Sequence, residues 1–319
     1  MKEMGEAVRY DSGPWSRRVG APRQWVLEVV ELRTDVVGRV GEGQVLPDEL
    51  LSVAGLGLDL TPEQRRVLSR EEAASITDWE IRFEAVLEAG FAAQVATARD
   101  VTAAPLTFML HEMGEETGHQ RLFQRLLGQL EPRADWPVPR PLVNFACRRA
   151  IHAVARHPAL LYALVLAGEE ITDGFQRAAA EHLQTDPFIR AVYEYHCREE
   201  ANHVSFARAV YAEAWASSTW LDRLLVRRVA PPLIRLLFDS MVHPGVYQAA
   251  GLPAFRTWRR VSRSGERTRL RRDSTRPVVR SLIEAGALRA GKVPRPWRKI
   301  CGVDRSGQTR HLASGPAEV

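Results

Sequence analysis

Apolar residues recur at intervals of three and four along most of this chain, and strand-like alternation is absent. Between Ser69 and Asp100 the positions Ile76, Trp79, Phe83, Val86, Leu87, Gly90, Phe91 and Val95 form such a stripe, which predicts a long amphipathic helix. A start signal lies just upstream at Thr61-Pro62-Glu63-Gln64, with an acceptor side chain at the cap and proline at the first helical position. A second helix is predicted over residues 102–130, stopping at Glu131-Pro132 before the proline-rich link PRADWPVPRP. Further helices are predicted over residues 140–156, 159–185 and 188–215, separated at His157-Pro158 and Asp186-Pro187, followed by an amphipathic run over 220–241 kinked at Pro231-Pro232. Residues 1–20 read as an arm and residues 23–40 as a helix broken at Gly41. The pattern divides the chain into an N-terminal arm and lead-in (residues 1–68), an all-α helical bundle (69–250) and a C-terminal extension (251–319).

Composition narrows the class. At 319 residues, with 45% hydrophobic and 26% charged positions, the chain has the balance of a soluble globular protein able to bury a core. Cys147, Cys197 and Cys301 are too few and too odd in number for a disulfide scaffold, so a reducing cytoplasm is expected. The start, MKEMGEAVRY, carries no apolar stretch, and the most apolar run, residues 159–168, is half the roughly 20 residues a membrane span needs. No export signal and no membrane span are expected.

Charge separates the extension from the rest. The net charge of +5 conceals 17 Lys+Arg against 5 Asp+Glu over residues 251–319, and 27 against 34 before them. Such a basic segment could attract nucleic acid by counterion release, but it has little aromatic interleaving. Its arginines are expected to solvate the surface or to pair with the acidic body. Docking of a nucleic acid or a carrier protein stays open.

One short word occurs twice. Glu116-Thr117-Gly118-His119 and Glu200-Ala201-Asn202-His203 are both Glu-x-x-His inside predicted helices, and residues three apart share one helical face. Each copy is half of a metal site, and two copies, with one glutamate from each of two partner helices, can hold two iron or manganese ions in a four-helix bundle. The partner glutamates stand at matching distances. Glu84 lies 32 residues before Glu116, with Glu80 and Glu88 one turn away as alternatives; Glu169 and Glu170 lie 31 and 30 residues before Glu200, Glu169 being nearer the apolar stripe. His196 adds a third imidazole, giving His-x-x-x-Glu-x-x-His. Carboxylates and imidazoles together suit iron or manganese. The remaining histidines, His111, His152, His157, His182, His243 and His311, lack such company and are not proposed as ligands, and Cys147 and Cys197 read as ordinary buried thiols.

The ordered set Glu84, Glu116/His119, Glu169 or Glu170, and His196/Glu200/His203 resembles the p-aminobenzoate N-oxygenase family of diiron oxygenases, over roughly residues 45–255. The extra histidine separates that family from ferritins. The resemblance implies a ferritin-like bundle with additional helices, two iron ions, dioxygen as co-substrate and no catalytic side chains beyond the metal ligands. It implies oxygenation of a small-molecule amine, in natural-product biosynthesis, with electrons from an external donor. The alternatives are a hydroxylase or desaturase, an iron-oxidising protein, or a metal-sensing protein that docks through its basic tail. Assembly as a homodimer is left open.

Overall fold

The computed structural model of the chain describes residues 36–138 and 140–309. Long helices dominate because the chain supplies start and stop signals at the right spacings. The first, α1 (Pro62–Thr97), opens on a capping box in which the Thr61 side chain accepts from Gln64 N and the Gln64 side chain accepts from Thr61 N, satisfying two otherwise orphaned donors. The start read at Thr61 and the stripe read from Ser69 are therefore one continuous helix. After a short turn α2 (Ala104–Leu130) runs back antiparallel to it, ending where Glu131 adopts a left-handed conformation with φ 49°.

Helix α3 (Arg140–Ala155) carries the chain across to a second hairpin, α4 (Pro158–Glu181) and α5 (Pro187–Ala216). The Asp186 side chain caps α5, accepting from Phe188 N at 2.9 Å and Ile189 N at 3.2 Å. It also accepts from Gly41 N at 2.8 Å, which ties the lead-in to this corner. The two hairpins, α1/α2 and α4/α5, pack against each other through α1 on α4 and α2 on α5, giving an all-α, ferritin-like four-helix bundle. Close approach of α1 and α4 depends on Gly168, where a Cβ would stand 2.0 Å from the Phe83 ring. That ring in turn stacks on Trp79 at 5.1 Å.

Shorter helices follow: α6 (Trp220–Arg228), α7 (Ala230–Ser240), α8 (Pro244–Ala249), α9 (Ala254–Val261), α10 (Gly265–Glu284) and α11 (Arg295–Cys301). The kink expected at Pro231-Pro232 falls at Val229, because proline is tolerated in the first turn of a helix and the break precedes it. The basic segment is folded over most of its length. Helix α10 packs along α4, and Arg267 and Arg271 are buried against Phe238, their guanidinium carbons 4.1 and 6.0 Å from the ring centroid.

Among the described residues there is no strand, only an isolated bridge between Val303 and Thr309. No single helix among them is long and apolar enough to cross a membrane. Residues 36–40 are not helical, so the helix expected over 23–40 does not reach Val40. Its remainder, the arm at 1–20, the Cys147 side chain and His311 lie outside what is described.

Candidate metal centre

Four helices aim carboxylates and imidazoles at one point midway along the bundle: Glu84 from α1, Glu116 and His119 from α2, Glu169 from α4, and His196, Glu200 and His203 from α5. None of the seven is more than 4% exposed. So many ionisable groups in a dry core are costly unless something compensates them.

The contacts are short and shared. Glu116 and Glu200 each lie between His119 and His203: His119 Nδ1 is 3.3 Å from Glu116 and 3.4 Å from Glu200, and His203 Nδ1 is 3.1 and 3.2 Å from the same two carboxylates. His196 Nε2 faces Glu200 at 3.0 Å and Glu84 at 3.5 Å. Two overlapping donor groups result, Glu116/His119/Glu200/His203 and Glu84/His119/His196, with donor atoms within 4.8 Å of one another in each.

Internal hydrogen bonding does not exhaust these groups. One oxygen each of Glu84, Glu116, Glu169 and Glu200, and Nε2 of His196, are buried without a hydrogen bond. Orphaned buried acceptors at a convergence of carboxylates are what a pair of cations would satisfy, and four carboxylates balance two divalent charges. The residues therefore fit a dinuclear iron or manganese site.

Electrostatics report the same demand. Burial, reinforced by neighbouring carboxylates, raises Glu84 and Glu169 well above the usual carboxylate range. Glu200 is held well below it, since burial is outweighed by the charge of the neighbouring His196 and by the imidazoles of His119 and His203. Burial opposes a charge on His119, yet hydrogen bonds to Glu116 and Glu200 lift it to about 10, and His203 is raised for the same reasons. Without a cation these rings hold a proton at Nδ1, so metal binding and proton release are coupled.

Around this cluster lies a layer of partners that the sequence reading missed. Glu199 sits 3.2 Å from His119 Nε2, and Glu115 sits 3.0 Å from His203 Nε2, each reaching across to the other helix. Such carboxylates fix the ring so that Nδ1 presents its lone pair to a metal. The signal was present, for both copies read Glu-Glu-x-x-His. His196 is fixed differently: its Nδ1 is 2.7 Å from Gln176 Oε1, and Gln176 Nε2 donates to Glu80 at 2.6 Å. Gln176 follows Glu169 by seven residues on the same face of α4, but nothing in its sequence context marks it.

The expected alternatives take separate places. Glu80 is buried, one turn from Glu84, and serves Gln176. Glu88 accepts from Thr117 and Gln120 between α1 and α2. Glu170 turns outward to Arg208 at 2.9 Å. His152 is exposed, His157 bonds Asp222 at 2.6 Å, His182 accepts from Gln184 N, and His243 stacks on Trp136. Cys197 is buried, and burial pushes its thiol up to about 12. Beyond the cluster, toward the α1/α2 turn, Phe91, Phe108, Tyr162 and Phe206 form an aromatic group, with Phe108 and Phe206 4.3 Å apart.

The chain matches the family described as P-aminobenzoate N-oxygenase AurF over residues 43–286. That match extends about thirty residues past the resemblance read from the motifs and takes in α10, so much of the basic segment has a counterpart in the family. Similar curated proteins are uncharacterized protein Mb0909 of Mycobacterium bovis and uncharacterized proteins MT0908 and Rv0885 of Mycobacterium tuberculosis. Each is 30% identical over 139 residues, covering 43% of this chain and 40% of the relative. The matched part is thus less than half the length of those relatives. No solved structure matches the chain.

Proposed function

The chain belongs to the p-aminobenzoate N-oxygenase AurF family of diiron oxygenases, and from that premise we propose that it oxygenates the nitrogen of a small aromatic amine at an iron pair held in its bundle core. The observation that carries the proposal is the convergence of both Glu-x-x-His pairs with Glu84, Glu169 and His196 in one buried cluster whose carboxylates keep unpartnered oxygens. When bound, the iron pair would supply the activation of dioxygen and the transfer of oxygen to the substrate, with further electrons from an external donor.

Every other part is assigned to the chain itself. Glu116 and Glu200, each between two histidines, are the shared carboxylates, and Glu84 and Glu169 complete the set from the opposite hairpin helices. Glu115 and Glu199 keep a proton on Nε2 of His203 and His119, which leaves Nδ1 free to ligate. Gln176 keeps a proton on Nδ1 of His196 and turns its Nε2 inward. Phe91 and Tyr162, both buried, close the adjoining end of the bundle, and the more exposed Phe108 and Phe206 offer ring faces to an aromatic guest. The setting we propose is cytoplasmic natural-product biosynthesis.

The test is anaerobic loading with iron(II), followed by oxygen and reductant in the presence of 4-aminobenzoate and a panel of aryl amines, with products read by mass spectrometry. About two irons per chain, as a dinuclear bundle site requires, and amine-dependent formation of hydroxylamine or nitro products support the proposal. Alanine at Glu116, His119, Glu200 or His203 abolishes metal retention, whereas alanine at His152 or His182 does not. Oxygen consumption indifferent to every amine, with iron accumulating well beyond the dinuclear stoichiometry, would favour iron oxidation and storage instead.

A further inference from the structure

The Nε2 side of His203 carries a second, outer group of donors. Glu115 approaches this nitrogen at 3.0 Å and Glu112 at 3.5 Å, and the three residues have ligand atoms within 4.8 Å of one another. Glu112 is only 2% exposed, and its Oε1 makes no hydrogen bond. Its backbone position explains why it points here. Glu112 precedes Glu116 by four residues, as His196 precedes Glu200 by four, so the internal repeat places it where the other half of the bundle has a histidine.

The two halves differ at this point. On the opposite side Glu199 approaches His119 Nε2 alone, because His196 is turned inward to Glu84 and Glu200 and held from behind by Gln176. Among the described residues, the outward nitrogen of His203 has two carboxylates beside it, that of His119 one. The His203 side also grades outward to solvent along one face of α2. His111 Nε2 is 3.2 Å from Glu115 Oε1, and the side-chain exposures are 64% for His111 and 35% for Glu115, against 2% for Glu112.

We infer that Glu112, Glu115 and Nε2 of His203 form a transit site through which divalent cations reach the inner centre. The inference rests on the metal-binding part of the proposed function. A neutral imidazole has one lone pair. An ion at the outer site displaces the Nε2 proton to solvent and uses the lone pair there, while Nδ1 keeps its proton; an ion at the inner site uses the lone pair at Nδ1, after which Nε2 carries a proton and donates to Glu115. Filling the inner centre therefore removes the outer site's nitrogen donor. The outer site works while the centre is empty and closes when it is full, so it speeds loading without adding to the metal finally held.

The experiment uses the full chain stripped of metal and mixed anaerobically with cobalt(II), with uptake followed by visible absorption and final content by elemental analysis. Glu112→Gln and Glu115→Gln each replace a carboxylate by an amide, a weaker ligand for a divalent cation, and the Glu115→Gln amide keeps an oxygen to accept from His203. Uptake should slow by about tenfold or more, the scale on which a charged cleft raises association rates, and reach the wild-type final content. Glu170→Gln, a bundle carboxylate turned outward to Arg208, should load at the wild-type rate. Melting curves by circular dichroism verify folding, and Glu115, being partly exposed, bears the test if Glu112→Gln does not fold. Wild-type rates in the first two variants overturn the transit site, as does equal slowing in all three, which would mark a general effect of bundle charge, or a lowered final content, which would mark ordinary support of histidine. A wild-type chain that binds no cobalt defeats the centre itself, and the transit site with it.

Discussion

Gln176→Leu isolates the device that aims His196. The Gln176 side chain is fully buried and makes two short hydrogen bonds, with His196 Nδ1 at 2.7 Å and with Glu80 Oε2 at 2.6 Å, both partners themselves 2% exposed or less. Leucine nearly conserves volume, so the change removes hydrogen bonds rather than opening a cavity. Each buried polar group stripped of its partner costs about 1–3 kcal/mol. Burial raises Glu80 to about 8, so near neutrality that carboxyl is largely protonated and its share falls at the low end. The metal-free protein should lose about 2–4 kcal/mol in urea denaturation. Freed of Gln176, His196 can turn or change tautomer, and losing an outer partner of a ligating histidine typically weakens metal binding about 10- to 100-fold, which is about 1.4–2.7 kcal/mol. Anaerobic iron(II) titration reads that second loss. Stability lost with metal affinity intact would refute the reasoning, since Gln176 would then be a core hydrogen bond with no bearing on the centre.

Two further outcomes follow from the buried charges. Glu169→Gln replaces a carboxyl that burial and neighbouring carboxylates hold well above its ordinary range; the amide removes the cost of holding that group in the buried cluster, so the metal-free variant should be more stable than wild type in urea while binding metal far more weakly, and a less stable variant contradicts this. For the metal-free protein, Glu80 rises to about 8 and Glu72 and Glu112 to about 7 through burial, so the folded state holds protons that the unfolded chain has released, and stability falls as pH rises from about 4.5 toward 8. His119, raised to about 10 by Glu116 and Glu200 against the effect of burial, adds stability below its ordinary value near 6.5 that is lost toward 10, the same sign. Melting of the metal-free protein should therefore come at a lower temperature at about pH 8 than at about pH 5.5, and the increment added by metal should be larger at the higher pH; a midpoint that climbs with pH runs against both.

Which of these features could be read from the chain depends on how far apart in sequence the interacting groups lie. A Glu-x-x-His pair is local: two residues three apart share a helical face whatever surrounds the helix. So Glu116/His119 and Glu200/His203 are legible at once, and His196 joins them because four and seven residues also return to that face. The helix starts at Thr61 and Asp186 are local for the same reason, since each cap bonds backbone donors two or three residues on. The kink near Pro231 is legible only approximately, because proline forbids the hydrogen bond of the preceding turn without fixing which residue yields.

Sequence by itself thus determined the all-α class, the two hairpins, and a pair of metal-type half-sites on α2 and α5. It could not choose among Glu80, Glu84 and Glu88, which follow one another a turn apart on one side of a helix, or between the adjacent Glu169 and Glu170, because the rotation and axial position of each helix are set by packing. Tertiary structure decided those: Gly168 admits Phe83, α1 and α4 close to fixed rotations, and Glu84 and Glu169 enter the cluster while Glu88 and Glu170 meet Gln120 and Arg208. It also decided the crossing of Glu115 to His203 and Glu199 to His119, and the link from Gln176 to His196. These pairs are 88, 80 and 20 residues apart, and only the packed bundle brings them within hydrogen-bond reach. The repeat was written in the sequence; the asymmetry between its halves, with a histidine on one side and Glu112 on the other, acquires meaning only when both copies face the same buried point.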